Sequence, residues 1–541
     1  MPENTLASRC SRGSALTTCR VAGRGAPLRS PHVVVVGAGM AGLAASIDLA
    51  RQGLRVSLLE SASEVGGKVH QTELDGRFID SGPTVLTMRW VFDDLMHDAG
   101  LTLDDFVHLS PLKVLGRHVW SDQRCLDLFT DPQANMDAIA EFAGPREARR
   151  FKAFCEEARA LYHRLEPIYM RGPRPNLASM SSDLGLSGLA LLSRLGPLQS
   201  LWRSLGRHFE DPALRQLFAR YATYCGGSPW EAPATLMLIA YVEMRGVWAA
   251  EGGMSGLAKA LASAAEHLGA QIRCNAHVHE LIAQDGRIRG VTLLSGERIE
   301  ADHVIFNGEA AALSGGLLGV GVQQATQPSQ SSPRSLSALT FALLGRCEGR
   351  PLHIHNIYFQ GDYESEFRDV FHHGRLPRSP TVYICAQDRS TDRQAGPPSA
   401  SPERLFLLVN APARGDESDF SDKEIERCQQ TILSQLQSSG LHINPQSPVR
   451  VATPAHFHRR FAGSGGALYG RAPHGWMSIF QRPSSRSPVP GLYLAGGSAH
   501  PGAGVPMATL SGRLAAATLM ADRDSTSRSH RVVISGGMSM A

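Results

Sequence analysis

The chain has 541 residues, more than one hydrophobic core usually serves, so two domains are expected. Its 43% hydrophobic and 19% charged residues suit a soluble or peripheral globular protein, and a net charge of +4 argues against a dedicated nucleic-acid surface. No apolar run reaches the ~18 uninterrupted residues of a spanning helix. The nine scattered cysteines lack C-x-x-C or zinc-like spacing, so they read as reduced thiols in a cytoplasmic setting, with no metal site.

Residues 1–31 carry Arg9, Arg12, Arg20, Arg24 and Arg29 against one acid, Glu3. That composition fits either a transit peptide or a disordered extension. The segment "PHVVVVGAGMAGLAASIDLARQGLRVSLLE" follows. Val33–Val36 read as a strand buried on both faces, as in a parallel sheet. A helical pattern covers 40–52, Gly53 closes it, and a second strand ends at Glu60. Gly37, Gly39 and Gly42 give G-x-G-x-x-G: one glycine for the tight turn, one for close approach of a pyrophosphate, one for helix–strand packing. The Glu60 carboxylate then accepts from a ribose hydroxyl and favours a cofactor without a 2′-phosphate. Gly37, Ala38, Gly39, Met40, Gly42 and Glu60 are therefore the expected dinucleotide contacts.

A second glycine loop, Gly66, Gly67 and Lys68, places backbone and a cation where phosphate or a flavin edge would lie. Gly82, Pro83 and Thr84 follow a short strand, "RFI". A nicotinamide enzyme has no need of this second loop, whereas the longer FAD must be clasped along its length. Arg89, just beyond, either approaches the flavin or makes a structural hydrogen bond. Residues 184–206, Leu-rich with Trp202 and arginines 194, 203 and 207 nearby, suit an interfacial segment or ordinary core helices. Residues 268–309 alternate short apolar strands with the turns "DGR" and "SGE". The runs "HIH" (353–355) and "HH" (372–373) lack further ligands at metal-like spacing. Residues 313–335 read as a surface loop.

Near the end, the strand "LYLA" enters a glycine-rich stretch with an exposed His500, and a helix begins at Val505, Pro506 and Met507. Gly496 and Gly497 would pass the ribityl and pyrophosphate. The helix mouth would face the flavin N1/C2=O edge, where partial positive charge stabilises reduced flavin. The tail from 524 to 541 reads as disordered.

The N-terminal motif, "DSGPT", "GGM" (252–254) and "HPGAGVP" (500–506) together resemble the phytoene desaturase-type carotenoid oxidoreductases. So do "HNIYFQGDYESEF" (355–367), "GRLPRSPTVYICAQDRSTD" (374–392) and "LLVNAP" (407–412); the resemblance covers about 32–520. Within that family, "TVLTMRWVFDDL" (84–95), "RYATYCGGSPWEAPATL" (220–236) and "HPGAGVPMATLSG" (500–512) are most similar to the 1-hydroxycarotenoid 3,4-desaturases of purple bacteria. One departure is Met507, where many phytoene desaturases place glycine.

The resemblance implies an α/β fold: a Rossmann-type FAD domain (32–120, 251–315, 481–523) interleaved with an α+β substrate domain (121–250, 316–480). It implies FAD, an acyclic carotenoid substrate, quinone or oxygen as electron acceptor, and a peripheral seat on the cytoplasmic side of a bacterial inner or photosynthetic membrane. Hydride loss to flavin followed by proton loss would form the double bond. In such folds a residue like Val278 holds the adenine through backbone groups; plain strand core is the other reading. Trp248, His355 and Asn356 are possible substrate contacts or structural residues, and His500 is the candidate catalytic side chain. Phytoene desaturation, carotenoid isomerisation, amine oxidation and non-catalytic prenyl binding of the GDP dissociation inhibitor kind remain open. Low aromatic content (6%) argues against an amine oxidase.

Overall fold

The computed structural model describes residues 30–176, 199–327, 333–389, 402–475, 478 and 480–534, with side chains to 525. The basic extension and residues 184–198 of the Leu-rich segment lie outside the described residues.

A five-stranded parallel sheet carries the glycine motif. Its strands are β1 (His32–Val36), β2 (Arg55–Leu59), β3 (Gln271–Arg273), β4 (His303–Phe306) and β5 (Leu492–Leu494), in the order β5-β4-β1-β2-β3. Val33, Val34 and Val35 are wholly buried because helices cover one face and the antiparallel ribbon at 278–300 covers the other. Helix α1 (Met40–Ala50) is buried along its whole length. It packs against α2 (Gly253–His267) and α3 (Val505–Ile534). A Cβ at Gly512 of α3 would lie 2.0 Å from the Ala41 carbonyl oxygen, so these two helix backbones nearly touch. The sheet is thus completed from three distant stretches of the chain.

Two hairpins follow from their turns. Asp75–Gly76 (φ +48°, +74°) joins strands Gln71–Leu74 and Arg77–Asp80. Asp285–Gly286 (φ +51°, +72°) joins Val278–Gln284 to Arg287–Leu293, with Arg298–Glu300 as third strand of the expected ribbon. Both central residues of each turn take positive φ, the conformation that favours Asp-Gly.

The second half is an eight-stranded sheet built on the long strand Ser337–Gly349, with helices including Pro145–Leu165 and Pro212–Ala219 beside it. Strand Val114–Trp120 pairs in parallel with His355–Phe359 inside this sheet. It therefore belongs with the substrate half, and the expected boundary at 120 falls too late. The chain crosses between halves through the small ribbon Leu109–Pro111 with Trp248–Ala250. Helix α3 also runs to Ile534, past residue 523, where order was expected to end. Its start is fixed by packing on α1, which the composition of the tail does not reveal. No helix among the described residues is long and apolar enough to cross a membrane.

Burial holds four histidines neutral: the pKa values of His70, His355 and His500 are lowered to about 4, and that of His118 to about 3. The unfolded chain binds protons at these rings from about pH 6.5 downward, whereas the folded chain does not until nearer pH 4. Their contribution to stability is therefore full above pH 6.5 and lost progressively as the pH falls from there to about 4. The melting temperature should fall between pH 6.5 and 4, and substituting His118 with Gln should reduce that fall. Identical pH dependence in the variant contradicts the assignment.

Candidate functional site

The site begins where β1 turns into α1. A Cβ at Gly42 would stand 2.0 Å from the Gly37 carbonyl oxygen, so only glycine lets the helix start this close to the strand. Glu60, at the end of β2, is buried and bonds backbone on both sides: Oε2 accepts from Ala38 N–H (2.7 Å), Oε1 from Ala62 N–H (2.8 Å). The Ala276 N–H donates to the Glu60 carbonyl (2.7 Å), which brings the start of the ribbon, with Val278 in its core, to this end. The second glycine loop lies against the first: Gly66 N–H donates to the Ala38 carbonyl (2.8 Å), and a Cβ at Gly67 would meet Gly39 Cα at 3.1 Å.

Lys68 is arranged differently from the expected free cation. Its Nζ donates to Glu309 Oε1 (2.7 Å) and to the Leu468 carbonyl (2.8 Å), tying the loop to the far end of the chain.

Asn307, which the sequence reading missed, sits at the centre of this cradle. Its Nδ2 donates to the Gly37 carbonyl (3.0 Å). The same side chain would collide with a Cβ at Gly39 or Gly42 (2.9 Å each) and at Gly496 (2.8 Å). The available signal was a polar side chain immediately after the buried strand "HVIF". Asp80, which precedes Gly82 in the "DSGPT" motif, was noted after the strand "RFI" but given no site role. Its Oδ2 accepts from Met254 N–H (2.8 Å) at the start of α2, so the "DSGPT" and "GGM" motifs meet there. Its Oδ1 has no partner among the described residues, and burial raises its pKa.

Beyond β5, Ser511 Oγ accepts from Gly496 N–H (3.1 Å) and donates to the His500 carbonyl (2.7 Å), so α3 holds the glycine turn and the following loop together. Arg482 donates to the Gly497 carbonyl from the other side. Val505, Pro506 and Met507 begin α3 and border a cavity of about 400 Å³, together with Gly82, Pro83 and Thr84. Leu165, Ile168, Leu236, Ile239, Ile357, Phe406 and Leu408 make its walls apolar.

Polar groups in those walls fall into two sets. Thr84 Oγ1 lies 2.6 Å from the Tyr383 hydroxyl, which lies 2.8 Å from His355 Nδ1. Arg220, Tyr224 and Glu243 form a second, buried set. Neither Tyr383 nor this second set was singled out as a site from the sequence.

Four expected site residues are placed elsewhere. His500 is 1% exposed, against an expectation of exposure. Its Nε2 lies 3.1 Å from the Gly172 carbonyl and its ring packs edge-on behind Tyr169, which lines the cavity where His500 itself does not. Arg89 points outward and pairs with Asp93 and Asp104 (3.2 and 2.9 Å). Trp248 packs over Gly246 in the core. Asn356 spends its amide on the His353 backbone (2.7 and 2.9 Å). His355 is one hydrogen bond from the cavity, through Tyr383.

These residues fit a flavin dinucleotide. Glycine backbones crowd where a pyrophosphate needs close approach, a carboxylate closes the ribose end, and the N-terminus of a long helix opens on the cavity. Gly42→Ala should yield protein with little or no bound flavin, read as the visible absorbance of the purified chain. Full flavin content in that variant would refute the cradle.

The model of the flavin-containing amine oxidoreductase family matches residues 40–520. The hydroxyneurosporene desaturase of Rubrivivax gelatinosus is 55% identical over 516 residues, 95% of this chain and 98% of that protein. The hydroxyneurosporene desaturase of Cereibacter sphaeroides is 43% identical, covering 92% of this chain and 99% of its own. The solved structure of wild-type putrescine oxidase bound to putrescine is 16% identical and superposes with a TM-score of 0.57 over 91% of this chain and 99% of that one, a likeness of fold. The chain belongs to the flavin-containing amine oxidoreductases that use FAD, in the branch that holds these carotenoid desaturases.

Proposed function

We propose that the chain is an FAD-dependent desaturase that places a double bond between C3 and C4 of a 1-hydroxy acyclic carotenoid such as hydroxyneurosporene. The observation that carries this reading is the 55% identity over 95% of the chain to a relative of that name. The apolar cavity at the head of α3 agrees with it, since a polyene end has little to bind with except its hydrocarbon surface.

FAD, when bound, supplies the acceptor for a hydride. We place it along Gly37–Met40, Gly42, Glu60, Gly67 and Lys68, with Val278 backbone at the adenine and Gly496–Gly497 along the phosphates. Gly82–Thr84 and Val505–Met507 would then border the flavin ring. A saturated bond beside a polyene carries no acidic proton, so the carbon skeleton must lose hydride before it loses a proton. What the chain supplies is position and a dry wall. The N-terminal end of α3 adds partial positive charge at the ring edge.

The proton is then lost from a carbon beside a cation, and a weak base suffices. Tyr383 borders the cavity and His355 stands behind it; burial, reinforced by the Arg220 charge, holds that histidine neutral with a pKa of about 4. A proton released at Tyr383 Oη can thus pass to His355 Nδ1. Electrons would leave to a quinone or oxygen. A lipid-soluble substrate supports a peripheral seat on a membrane, which we take to be the cytoplasmic face of a bacterial inner or photosynthetic membrane.

The test is coexpression in cells that make neurosporene or 1-hydroxyneurosporene, with carotenoid masses and spectra as readout. Loss of two hydrogens and a longer chromophore from the hydroxylated substrate is expected. Stepwise desaturation of phytoene, or a changed spectrum at unchanged mass, would replace the reading. Tyr383→Phe should lower kcat about tenfold or more at unchanged FAD content; an unchanged kcat removes the relay.

A further inference from the structure

In the reading just proposed, on which this inference rests, Arg220 enters only through its charge on His355, and Tyr224 and Glu243 do not enter at all. The three side chains line a cavity whose walls are otherwise mostly hydrocarbon. Arg220 is 7% exposed and Glu243 5% exposed. Tyr221 Oη and Tyr224 Oη donate to the two oxygens of Glu243 (2.6 and 2.9 Å). Arg220 donates to the Tyr224 hydroxyl, approaches Glu243 at 3.7 Å and reaches His118 Nε2 at 3.4 Å. Its Nε–H has no partner among the described residues. Burial disfavours the guanidinium charge, but the surrounding Tyr224, Glu243 and Tyr221 oxygens more than offset it, so Arg220 stays protonated.

A buried ion pair of this kind contributes little net stability, and apolar residues of similar volume would serve the fold as well or better. Its place in the wall of a hydrocarbon cavity therefore calls for a ligand with a polar atom. A carotenoid offers none unless it is oxygenated. A hydroxyl at C1 is three bonds from C3, so the group that binds it must stand beside the reacting bond. The cluster meets that condition. Tyr224 lines the same cavity as Tyr383, whose hydroxyl bonds Thr84 in the glycine loop expected to face the flavin.

We infer that Arg220, Tyr224 and Glu243 bind the C1 hydroxyl of the substrate, with Arg220 N–H donating to its oxygen and the Glu243–Tyr224 pair accepting its proton. A tertiary alcohol both donates and accepts, and the cluster presents both functions side by side. The same contact would set register: an unoxygenated chain end would leave a charged group without its partner and could slide along the apolar wall. Residues 220–236 also belong to the stretch most similar to the 1-hydroxycarotenoid enzymes.

The experiment gives the FAD-loaded protein equal amounts of 1-hydroxyneurosporene and neurosporene in phospholipid vesicles and measures the ratio of desaturated products. The double variant Arg220→Leu/Glu243→Leu removes both charges together, so neither is stranded. The wild type should prefer the hydroxylated substrate, and the double variant should lose at least about tenfold of that preference. If the double variant fails to hold FAD, Tyr224→Phe decides, with an expected loss of about threefold or more. A product ratio in the deciding variant within about twofold of wild type overturns the inference while leaving the desaturase reading intact. A wild type that desaturates neurosporene without preferring its hydroxylated form overturns both.

Discussion

The N-terminus of α1 comes so close to the end of β1 that Gly42 has no room for a side chain beside the Gly37 carbonyl. The rest of the cofactor half is arranged around that approach. Asn307 fills the small space left between the glycine turn and Gly496, and Glu60 bonds the turn from the opposite side. Each partner comes from a different strand end, so the parallel order of the sheet is what places them within reach of one another. Brought together, these ends leave exposed glycine backbone in the middle and polar side chains at the rim, the arrangement a long phosphate-bearing cofactor requires.

The cavity lies where this half meets the eight-stranded sheet. Its hydrocarbon walls exclude water and so strengthen whatever electrostatics remain inside. Two polar chains enter it, Thr84–Tyr383–His355 and the set around Arg220, and they influence one another: the Arg220 charge helps to keep His355 neutral. One scaffold can carry different cavity linings and so different substrates. The 0.57 TM-score at 16% identity to putrescine oxidase agrees with that economy of fold.

The β1–α1–β2 unit, the second glycine loop, the ribbon and the final strand–helix were legible in sequence because each is specified locally, by glycine spacing, Asp-Gly turns and valine runs. The positions that misled were decided by side-chain partners that glycine spacing does not reveal. His500 sits in a glycine-rich stretch that reads as an open loop, yet Gly172, 328 residues earlier, supplies the carbonyl beside its ring. Arg89 follows a cofactor loop in sequence but turns outward to Asp93 and Asp104. Asn307 escaped notice, and Asp80 was given no role, because a single polar residue after a strand carries no periodic signal. The Arg220 set was equally silent: its members are spread over 24 positions, from 220 to 243, and meet only after the helices around them pack.

Helix α3 ties the two sides of the cofactor cradle together. It supplies Ser511, which holds the Gly496 turn, and Gly512, which docks on Ala41 some 470 positions earlier in the chain. Without this helix the glycine turn, Glu60 and Asn307 would remain, but the Gly496 turn would lose its hydroxyl partner and α1 its backing. FAD seated in the cradle would touch both helices, so its binding would oppose their separation and its loss would loosen α3 from α1.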